Sequence, residues 1–474
     1  MTTRHGLGQS TSRRLAAVAA LLLAGCAIPS PPPSAVFQQE VLADLDLASP
    51  WRSSDTSPAE VQDNWLKSFA DLRLDALVAQ ALTHNPDLAV AAARVDQASG
   101  QLALARAAQR PSLSVLGTGG IKMSDMGSAL TGLMALVSWE LDVWGALRHG
   151  SAAAAAGVAA ARHEQEFARQ SLAATTAKAW FTVTQTLLEM HTAERMVDIG
   201  DHMLQLAQQR RRVGTGQDQE VALAEASLNA QRDLLTQARF AHQSALRALE
   251  LLLGRYPSAE LQANAQLPAL PGPVPAGLPL QLLERRPDLI AAERRVAAAF
   301  HRVGQAKAAA LPGLRLTGNF GYLDSEVVEL KRDFENPTGG AGLKLTAPLD
   351  LNGALGAQVA LASAQQREVV AQYVRLALRA IGDVEAALAS ARALTEREGW
   401  LTQQVARLEQ ALQLARRAYE VGKSDLRAVE QQRIALFEAQ VQLLRVRGEQ
   451  LSQRVNLHLA LGGSFGRPMA LSQQ

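Results

Sequence analysis

The chain is written twice. Aligning Asn85–Leu113 with Arg286–Leu314 needs no gap, and 12 of the 29 positions are identical at a constant offset of 201. Pro86/Pro287, Asp87/Asp288, Arg94/Arg295 and Pro111/Pro312 are among the matches. Further along the offset becomes 208 and holds: Asp142 matches Asp350, Gly145 matches Gly353, Val213-Gly214 matches Val421-Gly422, and Leu253-Gly254 matches Leu461-Gly462. A repeat this long is no solenoid unit. It implies two structurally similar halves within one subunit, 71–256 and 280–463, joined by a Pro-rich linker over 257–279 that contains "LPALPGPVPAGLP".

Each half has the same internal order. An opening helix lies near Asp71–Arg110 and Leu280–Leu311, with a "PDL" whose Pro suits a first turn and whose Asp suits the positive helix end. Pro111 and Pro312 stop it. Two strands follow, then a very long helix from about Ala146 to Arg212 or Ala354 to Glu420. At 1.5 Å per residue such a helix is a rod of about 100 Å. "VGTG" and "VGKSD" end the rods, their glycines free to take a left-handed cap, and a return helix closes each half at Gly254 or Gly462. Seven-residue spacings, Val183, Met190, Val197, Leu204 and Leu394, Leu401, Leu408, predict coiled-coil packing between rods. Composition agrees: 48% of residues are hydrophobic but only 4% aromatic, which favours long helices with thin cores.

The strands alternate strictly. In "LMALVSWELDVW", Leu133, Ala135, Val137, Trp139, Leu141 and Val143 share one face, and Ser138, Glu140 and Asp142 the other. Leu314, Leu316, Phe320 and Tyr322 oppose Arg315, Thr317 and Asn319; Leu343, Leu345 and Leu349 oppose Lys344 and Thr346. A soluble sandwich shows the same pattern. The start of the chain tilts the choice. Arg13-Arg14, an apolar run over Leu15–Ala24 and then "LAGC" form a short leader, too brief to span a bilayer. Residues 1–25 resemble a bacterial lipoprotein signal peptide and Cys26, the one cysteine of the chain, its lipidation site. In bacterial lipoproteins an Asp after the cysteine usually means inner-membrane retention; Ala27 stands there and leans towards the outer membrane. Residues 26–70 then serve as a lipidated tether, starting with the stiff "PSPPPS", and 464–474 form a tail. With a membrane anchor, strands of this kind fit a transmembrane barrel. Four strands cannot close one, and open edges are forbidden in lipid, so subunits must pool strands. Two chains give eight strands, and three give twelve, wide enough for a channel.

Other functions find little support. The formal net charge is +2, with no basic run interleaved with aromatics, so no nucleic-acid partner is expected. Nine histidines show no HExxH spacing. His163-Glu164 reads as a solvated helix face, Gly214-x-Gly216 lacks the third glycine of a dinucleotide loop, and no nucleophile elbow occurs. An enzyme is not expected, and neither is a cofactor or a metal. A coiled-coil lipoprotein spacer without a pore is the other rival.

Taken together, "WELDVWGALR" (139–148), "RRVGTG", "AYEVGKSD" and "RPDLIAAERRV" resemble the motifs of the TolC-type outer-membrane factor family, in its lipoprotein branch serving tripartite efflux pumps. The likeness covers nearly the whole mature chain. It implies a mainly α fold with a small β part: a homotrimer with a twelve-stranded β-barrel joined to a long periplasmic α-helical barrel. It implies a passive exit duct for drugs, metals or other small compounds, or alternatively for type I protein secretion. An inner-membrane pump and a periplasmic adaptor are the implied partners. By the same likeness the adaptor docks on Val213, Gly214, Thr215, Val421, Gly422, Lys423 and Ser424, and a gate lies just beyond these tips. Relatives carry acidic rings there, but Ala428 and Gln431 occupy the matching positions, leaving Asp425 and Glu430 as the nearest acids. Glu220 in the first copy and Tyr419 in the second stand where the family's latch lies.

Overall fold

The computed structural model describes residues 32–43, 47, 49–53, 61, 63–119, 130–325 and 338–465. Cys26 and the leader lie outside them. The order is α1 (Ser34–Val41), a 3-10 turn (Trp65–Phe69), α2 (Leu72–His84), α3 (Pro86–Ala107), β1 (Ser112–Thr118), β2 (Leu130–Leu141), α4 (Ala146–Arg212) and α5 (Asp218–Leu252). After a second 3-10 turn (Pro279–Gln281) come α6 (Leu282–Arg285), α7 (Pro287–Ala309), β3 (Gly313–Ser325), β4 (Thr338–Thr346), α8 (Ala354–Glu420) and α9 (Leu426–Ala460). The two rods have 67 residues each and the two return helices 35 each, so the duplication holds at the level of element lengths.

The opening helices depart from expectation. Neither runs unbroken from Asp71 or Leu280. Each breaks before the "PDL" proline, at Asn85 (ψ 126°) and Arg286 (ψ 117°). Proline disfavours the helical region for the residue before it, so both are extended. Asn85 then starts the next helix: its side-chain oxygen accepts from the Asp87 N–H at 2.8 Å, while its amide donates to the Leu252 carbonyl at 3.0 Å.

The chain divides into two compact units. The first comprises residues up to 44, 93–163 and 291–375 and holds all four strands. They form one antiparallel sheet in the order β1-β2-β3-β4. Its register keeps apolar with apolar: Val115 pairs Ala135, Leu133 pairs Tyr322, Trp139 pairs Leu316, and Leu316 pairs Leu343. On the other face Arg315 lies between Glu140 and Lys344, and bonds Glu140 at 3.0 Å. The strands stop earlier than the alternation suggested. Asp142 and Val143 fall beyond β2, and Leu349 beyond β4; after β2 the chain turns into a helix that Asp142 caps. It accepts from the N–H groups of Leu147 and Arg148 at 3.0 and 2.8 Å. Its duplicate Asp350 accepts from Leu355 and Gly356 in the same way, and these backbone bonds hold its carboxyl below the usual range. Gly145 and Gly353 turn the chain between strand and helix at positive φ. In the same unit Phe37 of α1 packs against Phe300 and Tyr373.

The second unit comprises 45–92, 164–290 and the residues from 376 on. Its main core gathers Trp65, Phe69, Leu74, Leu77, Trp180, Phe181, Leu249 and Val455 around the small residues Ala173, Ala174 and Ala177. Asp71 is the polar node: it caps α2 and accepts from Trp180 Nε1 at 2.8 Å and Asn264 Nδ2 at 2.9 Å. Among the described residues no helix is long and apolar enough to cross a membrane.

Candidate functional site

Two features are candidates for a functional surface. The first is the outer surface of the sheet. Leu113, Leu133, Phe320, Leu343 and Leu345 are each more than 60% exposed on the chain. They form one continuous apolar face across four strands, flanked by edge strands β1 and β4 whose outer backbone groups no described strand pairs. A contiguous apolar patch of this kind marks a surface that meets lipid or another protein.

The second is the pair of helical tips, both in the second unit. Gly214 (φ 78°) and Gly422 (φ 76°) each end a rod in a left-handed turn. Thr215 N–H bonds the Arg210 carbonyl at 3.0 Å, and Lys423 N–H the Ala418 carbonyl at 2.8 Å, six-to-one contacts that satisfy the last helix carbonyls. Val213 and Val421 stand at the two tips, each 68% exposed, and no described residue covers them. Thr215 and Lys423 are also exposed and Ser424 is half-buried. Asp425 is the N-cap of α9, accepting from Ala428 N–H at 2.9 Å.

Just beyond the tips the hairpins of the two copies interlock. Tyr419 is fully buried, with Met203, Ala207, Val221, Leu426 and Val429 around it. Arg210, at the end of α4, donates to the Tyr419 carbonyl at 2.7 Å and lays its guanidinium 4.4 Å from the centre of the phenol ring. Burial raises the phenol pKa; the charge of Glu220 raises it further and Arg210 opposes. Tyr419 and Glu220 are therefore brought together. Yet no hydrogen bond of standard geometry joins them, and Tyr419 Oη and Glu220 Oε2 are both buried without a partner.

Glu430 takes a different place. It is buried in an ion pair with Arg433, one turn on along α9. Arg433 is 1% exposed and binds Ser227 Oγ at 2.9 Å and Gln231 Oε1 at 3.1 Å, both on α5, while Ser227 donates to Glu430 at 2.6 Å. Burial lowers the Arg433 pKa and Glu430 offsets it. Gly200 on α4 faces this cluster: a Cβ there would lie 2.2 Å from Gln231 Oε1 and 3.1 Å from Arg433 Nη1. Three helices thus meet at one buried charge pair. Arg210, Ser227, Gln231 and Arg433 were missed in the sequence. The available signal was Glu430-x-x-Arg433, an ion-pair spacing on a helix that also reads as an ordinary solvated face.

With this geometry in view, comparison with known proteins is specific. The sequence model of the family described as outer membrane efflux protein matches residues 77–255 and 278–463. The pyoverdine export outer membrane protein OpmQ of Pseudomonas putida is 30% identical, covering 94% of this chain and 96% of its own. Among solved structures, the outer membrane protein VceC from Vibrio cholerae superposes with a TM-score of 0.77 at 26% identity, covering 86% of this chain and 100% of that one. The MtrE outer membrane channel of Neisseria gonorrhoeae, in its open state, gives 0.77 at 27% identity over 89% and 96%. The fold expected from the duplication is the fold of these channels, and the chain belongs to the outer membrane efflux protein family.

Proposed function

We propose that this protein is the outer-membrane exit duct of a tripartite efflux pump, working as a homotrimer that passes small molecules such as drugs or metals out of the periplasm. The four-stranded sheet carries the reading. Its open edges and exposed apolar face have no stable solution in a lone chain, because unpaired backbone groups cannot face lipid. Three sheets joined edge to edge make twelve strands, enough to leave an aqueous lumen. The apolar face then meets lipid, and Arg315, Glu140 and Lys344 meet water. The duct is passive; energy comes from an inner-membrane pump through a periplasmic adaptor. The exposed tips at Val213-Gly214-Thr215 and Val421-Gly422-Lys423-Ser424 are assigned to the adaptor, and their exposure supports this.

For the closed state we assign a latch between the Tyr419 phenol and the Glu220 carboxylate. Each has a buried oxygen that lacks a partner, and a phenol donating to a carboxylate would satisfy both. Glu430 is already engaged by Arg433, so with Ala428 and Gln431 at the family's acidic positions the latch takes the larger share of the gating. Cys26 is assigned as the lipid anchor. Planar-bilayer recording of the purified trimer tests the main reading. A duct gives stepwise conductance, whereas silence from intact trimers would leave a structural spacer. Loss of drug resistance on deleting the gene, restored by the wild-type copy, tests the efflux role.

A further inference from the structure

One contact in the first unit has no counterpart in the other half of the duplication. His149, near the start of α4, and His301, on α7, point their Nδ1 atoms at each other 3.2 Å apart. Their ring centres lie 5.5 Å apart, with planes inclined at 48°. Both rings are half-buried, reachable by a small solute. Space for His149 is made by Gly304, one turn beyond His301 on α7. A Cβ at that position would stand 2.8 Å from Cε1 and Nδ1 of the His149 ring. Glycine inside a helix weakens it, so its presence under this ring has a local cost with a local use. At the duplicated positions, offsets of 208 and 201, the chain has Ala357 for His149, Gly100 for His301 and Ala103 for Gly304. The two imidazoles and the glycine that seats one of them occur on one side of the repeat alone.

Two neutral imidazoles can share one proton, one Nδ1–H donating to the other's lone pair. The same separation suits a second use. Two nitrogens bound at about 2.0–2.1 Å to a tetrahedral ion stand about 3.3–3.4 Å apart. We infer that His149 and His301 form a two-histidine site for a borderline divalent transition-metal ion, of the Zn2+, Cu2+ or Ni2+ class that prefers imidazole. Binding needs no net loss of a proton from neutral rings. The donor ring moves its hydrogen from Nδ1 to Nε2, both Nδ1 lone pairs then face the ion, and water completes the coordination. Among the described residues no three histidine, cysteine or carboxylate side chains form a metal cluster, so these two imidazoles are the ligands that the described residues contribute. Burial and the neighbouring His149 both lower the His301 pKa, which favours the neutral, ligating form. A bound ion would tie the first copy's rod, near where it leaves β2, to the second copy's opening helix, near where it leads into β3.

The site is independent of the duct's gating and of what the duct carries. Its test is calorimetric titration of Zn2+ into untagged, detergent-solubilised full-length protein, with Cu2+ electron paramagnetic resonance as the readout of ligand identity. The expected result is one ion per chain, a Cu2+ spectrum with coupling to two imidazole nitrogens, and affinity at least tenfold weaker in His149→Gln and His301→Gln. Gly304→Ala keeps both ligands but crowds the His149 ring, and should also weaken binding severalfold. Trimers checked by size exclusion separate loss of the site from loss of the fold. Absence of Zn2+ binding to intact wild-type trimers would overturn the inference. Equal affinity in the wild type and in both histidine variants would overturn it too, placing the ion elsewhere.

Discussion

Replacing Arg433 with methionine is the most informative single perturbation of the hairpins. Methionine matches the length of the stem but removes the fork that bonds Glu430, Ser227 and Gln231. Glu430 is 5% exposed and would keep one bond, from Ser227 at 2.6 Å, with its Oε1 already lacking a partner. Breaking a buried pair by removing one partner costs about 3–5 kcal/mol, because the remaining charge stays buried. Replacing both charges with neutral groups of similar size is often close to neutral. Arg433→Met should therefore destabilise the local helix contacts by about 3 kcal/mol or more, while Glu430→Gln/Arg433→Met recovers most of the loss. Hydrogen exchange read at the amides of 196–200, 227–231 and 430–433 checks this in intact trimers. A loss of about 3 kcal/mol speeds exchange through local opening by about a hundredfold. The looser hairpins should also leak at rest. Exchange within threefold of wild type in Arg433→Met would refute the reasoning. So would a double variant no more protected than the single, since the penalty would then not come from an orphaned charge.

Four further outcomes follow from the same geometry. His458 is buried against Trp65, with ring centres 5.7 Å apart, and burial, then Arg454, push its pKa down to about 4. Its folded value lies below the unfolded one, so stability from the neutral ring is complete above about pH 6.5 and is lost as pH falls towards 4, by roughly 3 kcal/mol. His458→Phe should flatten that part of the pH dependence in limited proteolysis; an unchanged pH profile counts against it. Gly214→Leu and Gly422→Leu place a side chain at positive φ, costing about 1 kcal/mol or more, and should weaken pump assembly while trimers still form; full drug resistance in both variants would argue against adaptor contact there. Tyr419→Phe keeps the packing and the Arg210 stack but removes the donor, so resting conductance should rise. If it does not, Tyr419 acts as packing only. Mature protein should carry lipid at Cys26, and a mass without lipid, or cleavage elsewhere, would end that assignment.

What could be read in the sequence is what local physics decides. Gly214 and Gly422 end their rods because only glycine takes a left-handed turn freely, and that depends on no distant partner. The alternation in Leu133, Val137 and Trp139 fixes which face is apolar because side chains switch sides at every residue of a strand. Matching offsets show the duplication directly, and the break before Pro86 is equally local, although a continuous helix was expected there. Other features needed the third dimension. Glu430 and Asp425 look interchangeable as acids near the tip. In the fold one is buried against Arg433 while the other caps a helix in the open. Whether a charge is free depends on which helices converge on it, and here Ser227 and Gln231 arrive from about 200 residues away. Arg210 on the Tyr419 ring, and His149 facing His301 over Gly304, are likewise meetings between copies of the repeat. The sequence alone determined the duplication, the lengths of the rods, their glycine caps and the apolar face of the strands, since these follow from short-range sterics and periodicity. Only the tertiary structure decided which polar groups found partners, because desolvation and pairing are set by neighbours far away in the chain.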